Sequence, residues 1–228
     1  MKKNIILSLI VLFVCCFVLT GCQKQDPKEK MINNLSEIRK NCWSCETSKG
    51  YTTFMTGERE ESYNIDGVHT KNKEFGVISV IFKTTNSANL APTYTLKVNE
   101  ETFEGSLEKN PYANSYMADV GKAFSSDSVI SLTVKFEDFE ENFTLNSVSD
   151  NFKVSWEKAL EIANENMQDK ITEVFGNKAV GGETYLRIIN GEDVNFNTYY
   201  WYFSIVDKNQ KTSTIIINTE TGEILAKK

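Results

Sequence analysis

The sequence predicts an α+β protein, with an all-β antiparallel, sandwich-like domain over residues 46–150 and a small helix-plus-antiparallel-sheet domain over 151–228. Three observations carry that expectation. From about Thr47 to Val148 the apolar residues fall into short runs with turn residues between them, the pattern of antiparallel strands. From Ser155 the period becomes helical, and short strand-like runs return behind it. The change falls near Asp150, which sets the boundary.

Ahead of both domains, residues 1–21 form a separate segment. Lys2 and Lys3 precede an uncharged, mostly apolar run from Ile5 to Leu19. The run is shorter than the roughly 20 residues that span a bilayer core, so it reads as a cleaved export signal and not as a permanent helix. Residues 22–45 read as a polar tether with one short helix within 28–41, where Met31, Ile32, Leu35 and Ile38 follow helical spacing. In the all-β domain, Phe75–Phe82 is a near-continuous apolar run, expected as a central strand. Tyr94–Val98 and Thr102–Leu107 flank Asn99-Glu100-Glu101 as a hairpin, and Val129–Phe136 pairs with Asn142–Val148.

In the terminal domain Ser155 caps a helix whose apolar positions are Trp156, Ala159, Leu160, Ala163 and Met167. Glu157 suits the first turn and Gly176 the stop. Strands are expected at Glu183–Ile189, Thr198–Val206, Lys211–Ile217 and Glu223–Ala226. On the second of these, Tyr199, Trp201, Phe203 and Ile205 share the face turned to the helix, while Tyr200 and Tyr202 point away, either to pack on the first domain, the favoured reading, or as a candidate binding face.

Two resemblances add to this. Leu19-Thr20-Gly21-Cys22 resembles a lipobox, which implies a bacterial lipoprotein. Cys22 would take a diacylglyceryl group on its thiol, cleavage would free its amine, and acyl chains would hold the protein on the outer face of the cell membrane. The stretch Val154–Ala163, with the hairpin Tyr200–Val206 to Thr214–Leu225 and its Asn218-Thr219-Glu220-Thr221-Gly222 turn, resembles a PepSY-type domain. That resemblance covers about residues 152–228. It implies a non-catalytic module that modulates an exported peptidase or another envelope protein, and it transfers no catalytic residue.

Charge and cysteine use narrow the functions. Loss of residues 1–21 removes only Lys2 and Lys3 and takes the net charge from −6 to −8, which disfavours nucleic acid and anionic headgroups as partners. The arginines number three, Arg39, Arg59 and Arg187. With Cys22 lipidated and Cys15 and Cys16 removed, Cys42 and Cys45 remain as a candidate disulfide, or as a redox dithiol in Cys42-Trp43-Ser44-Cys45. No zinc set, catalytic site or cofactor is expected: His69, the single histidine, reads as a surface turn residue. The acidic groups Glu58/Glu60/Glu61 and Glu137/Asp138/Glu140/Glu141 lack a calcium-loop pattern and read as solvated faces. The expected function is a membrane-anchored, non-enzymatic binding or modulating lipoprotein. The alternatives are a ligand-binding lipoprotein serving a transporter and a thiol-redox lipoprotein.

Overall fold

A strand that the sequence presents as tether and helix organises the molecule. The computed structural model describes residues 26–61, 68–83, 92–136, 139–176, 181–191 and 195–228. After a short helix α1 (Pro27–Ile32), capped by Asp26, the chain enters the twelve-residue strand β1 (Leu35–Glu46). One edge of β1 pairs along its length with β2 (Gly50–Glu60), which pairs in turn with β3 (Asn72–Phe82). The other edge forks. Leu35–Ile38 pair in parallel with β10 (Gly182–Gly191), whereas Trp43 and Ser44 pair with β9 (Glu140–Ser147).

Each branch of the fork builds one half of the protein. Beyond β9 come β8 (Ile130–Lys135), β4 (Thr93–Val98) and β5 (Glu101–Ser106). Beyond β3 come β7 (Tyr116–Val120) and the two-residue β6 (Glu108–Lys109). These strands curl into a nearly closed barrel around Trp43, Phe54, Leu96, Leu132 and Phe143. Among the described residues no ladder joins β5 to β7, and this seam is where the barrel stays open.

The second branch continues from β10 through β11 (Asn195–Asp207) and β12 (Thr212–Asn218) to β13 (Ile224–Lys227). On one face of it lie α2 (Trp156–Asn166) and α3 (Gln168–Phe175), broken from each other at Met167. Ser155 caps α2 through Lys158 N, and Gly176 ends α3. The face Tyr199, Trp201, Phe203 and Ile205 is buried against Ala159, Leu160 and Ala163, and the Trp201 indole donates to Val154 O at 2.8 Å. Each fully buried aromatic contributes roughly 1.5–3 kcal/mol of transfer free energy.

The α+β expectation of two successive domains is therefore wrong. The described chain is mostly strand, all thirteen strands belong to one network, and all but the β1–β10 ladder is antiparallel. No separate PepSY-like domain exists, because β10 hydrogen-bonds to β1 and the helical side shares its core with Met31, Leu35, Ile38, Cys42 and Met55. The helix expected within 28–41 ends at Ile32. From Leu35 the chain runs as β1, whose register slips at Leu35/Glu37 against β10 and at Arg39/Asn41 against β2. These slips break the strict alternation that marks a strand in sequence. At the second slip Gly57 is required, since a Cβ there would sit 1.8 Å from Ile38 O.

Candidate functional site

The two cysteines lie on a regular stretch of β1, where Asn41–Glu46 pair without interruption to Thr56–Tyr51. Three residues apart on a strand, they point to opposite faces. Their Cα atoms stand about 10 Å apart, beyond the roughly 7 Å limit for a disulfide. Cys42 is buried in the helical core and Cys45 packs against the barrel core, and both are free thiols. Burial pushes the Cys42 thiol well up. It also raises Cys45, against a backbone hydrogen bond with Thr144. That Cα separation excludes the disulfide, and thiols that form thiolate reluctantly disfavour dithiol exchange.

Tyr200 and Tyr202 are half-buried and point away from the helices. Arg187 stands directly across from Tyr202 in the β10–β11 ladder. Its guanidinium grips Glu37 of β1 with two bonds, Nε to Oε1 at 2.7 Å and Nη2 to Oε2 at 3.3 Å, and stacks over the Tyr185 ring. Arg39 Nε donates to the same Glu37 Oε1 at 2.8 Å. Arg59 lies across the β1–β2 ladder from Glu37, covers the Phe75 ring and pairs with Asp119. Two of the three arginines thus hold one carboxylate, and the third, opposite it in the ladder, turns to Phe75 and Asp119. Burial alone would raise the Glu37 pKa, but the Arg39 and Arg187 charges and their bonds outweigh it and hold it below the usual carboxylate range. The sequence displays three arginines but not this arrangement. Their scarcity beside so many lysines is the available signal, since bidentate and stacked geometry selects arginine.

At the fork, where β9 and β10 leave β1, a crevice of about 370 Å³ opens. Ser44, Glu46, Asn146, Ser147, Asn151 and Tyr199 supply its polar walls. Tyr199 is anchored by a 2.5 Å hydroxyl contact with Tyr51, which also accepts from Asn190. Burial raises both phenols, so they stay neutral donors and acceptors.

Of the remaining candidates, Cys22, Glu137 and Asp138 lie outside the described residues. His69 sits 3.2 Å from Glu60, a residue 1% exposed whose Oε2 has no hydrogen-bond partner among the described residues, so this acid is no solvated face. Glu58 pairs with Lys40 and Glu141 with Lys49. Among the described residues no three or more His, Cys, Asp or Glu are grouped to hold a metal, and no helix is long and apolar enough to cross a membrane. No protein-family model, curated protein or solved structure matches the chain.

Proposed function

We propose that the chain is a lipid-anchored extracytoplasmic protein of a bacterial envelope that binds a partner and catalyses no reaction. The observation that carries this is Leu19-Thr20-Gly21-Cys22 closing an apolar run, with the fold starting only four residues later at the Asp26 cap. Such a chain has no use for a long leash. The partner surface is the face of Tyr200 and Tyr202 beside Arg187, where aromatic rings and planar guanidinium groups combine adaptable contact area with directed hydrogen bonds. An envelope protein is the expected partner. Mass spectrometry of the native protein should find Cys22 acylated, and Cys22→Ala should release the chain from the membrane. A photo-crosslinker at Tyr202 should then capture one envelope protein. A bare Cys22 thiol overturns the anchor, and no adduct in intact envelopes overturns the surface.

The crevice at the fork favours a second reading, a ligand-binding lipoprotein serving a transporter. Its hydroxyl and amide lining, with the Glu46 carboxylate paired to Lys83, and its size suit a small polar ligand that is not an anion. Soaking crystals with a mixture of polar metabolites tests it, and density at Asn146 and Asn151 is the expected result. A crevice holding solvent alone counts against it.

A further inference from the structure

We infer that the end of the molecule formed by α1, residues 68–71 ahead of β3 and the β11–β12 turn is the surface that rests on an anionic lipid bilayer. This deepens the lipid-anchor reading and depends on it. Cys22 is four residues from Asp26, so the start of α1 is held within about 14 Å of the anchor. Helix α1 is no free spacer: Met31 is fully buried, Thr184 donates to Met31 O and Asn34 O, and the Lys30 ammonium donates to Phe175 O. A short leash on a docked helix places its neighbours at the membrane too.

The register identifies those neighbours. Leu35 pairs with Thr184, Asn72 donates to Leu35 O, and Glu61 N donates to Lys71 O, which brings residues 68–71 to the α1 end. Gly182 pairs with Asp207, which brings the turn through Lys211 to the same level. Two of the five exposed large apolar residues among those described are here, Ile32 and Val68, at 39% and 63% exposure. The charge is also unusual for this protein. Residues 26–32, 61, 68–71, 170–176 and 207–211 carry six lysines and five acids, a net +1, while the mature chain is −8. These described residues are thus close to neutral where the mature chain as a whole is strongly acidic, so this end is repelled by anionic headgroups less than the average surface of the chain. Lys71, Lys208 and Lys211 are exposed on it. Exposed aliphatic groups beside lysines are what an interfacial surface requires. Tyr112 marks the opposite end. It lies two residues past Asn110 at the turn beyond Tyr116, which pairs with Val80 near the far end of the eleven-residue β3, about 35 Å away.

The lipidated, full mature protein in vesicles of phosphatidylethanolamine and phosphatidylglycerol provides the test. Fluorophores are placed by Ile32→Cys, Val68→Cys or Tyr112→Cys in a Cys45→Ser background, and nitroxide lipids serve as quenchers. Quenching at 32 and 68 should be at least about threefold that at 112. Lys208→Glu with Lys211→Glu should reduce it at 32 and 68, as should raised salt. Mass spectrometry of the same sample separates the two ideas. A bare Cys22 removes the anchor reading itself, whereas an acylated Cys22 with equal quenching at all three positions overturns this orientation alone.

Discussion

The two halves of β1 hold the molecule together by different means. Beyond Asn41, Trp43 is fully buried in a barrel core made of aromatic and aliphatic side chains, and its partner across the ladder is Phe54. Before Lys40 the same strand is joined to β10 by only three paired positions, and the side chain that fixes the joint is Glu37 in the grip of Arg39 and Arg187. Apolar packing fills volume and tolerates small sliding. A carboxylate held by two guanidinium groups has one geometry, so it sets register where a short parallel ladder and a bulge leave register weakly specified. One strand thus serves two cores, and charge decides the alignment of the second.

The largest effect is expected from Trp43→Ala. The cavity in the barrel should cost about 3–5 kcal/mol, read from denaturant unfolding, and the helical half should lose stability with it if β1 couples the two. Two separated transitions would show that the halves are independent. Glu37→Gln should cost less, about 1–3 kcal/mol, because the arginines left without a carboxylate are partly solvated. The effect of this variant also depends on pH. The folded pKa of Glu37 lies below its unfolded value near 4.3, so its contribution is present above that pH and is lost as pH falls through the folded value. Below about pH 4 the wild type should therefore lose its advantage over Glu37→Gln. An unchanged advantage at low pH would mean that the cluster is incidental.

The smallest effect concerns the thiols. Maleimide at neutral pH should modify Cys45 slowly and Cys42 only after unfolding, and oxidants should not lower the mass by the two hydrogens of an internal disulfide. The observed faces and raised pKa values require that order.

Much of the fold is legible in the sequence where local pattern and local pairing agree. The hairpin β4–β5, the pair β8–β9, the Ser155-capped helix and the stripe Tyr199, Trp201, Phe203, Ile205 all stand where their periods place them. β1 is not legible. Met31, Ile32, Leu35 and Ile38 imitate a helical face, and two register slips remove the alternation that would contradict it. Its partner β10 is almost 150 residues away, beyond any window of local reading. The candidate sites share that difficulty. Cys-x-x-Cys means proximity on a helix or turn and separation on a strand, so the meaning of the thiols turns on the element that carries them. Tyr200 and Tyr202 face where the alternation of β11 places them, whereas Glu37 joins them only through the parallel ladder.

That ladder also dictates when folding can finish. A chain synthesised from its N-terminus delivers β1 and β2 first, but one edge of Leu35–Ile38 has no partner until β10 emerges. Throughout that interval the barrel strands can assemble while a bare backbone edge waits, open to pairing with another chain. Folding of this protein should accordingly be slow and sensitive to chaperones, and truncations that stop short of β10 should aggregate although their barrel sequence is complete.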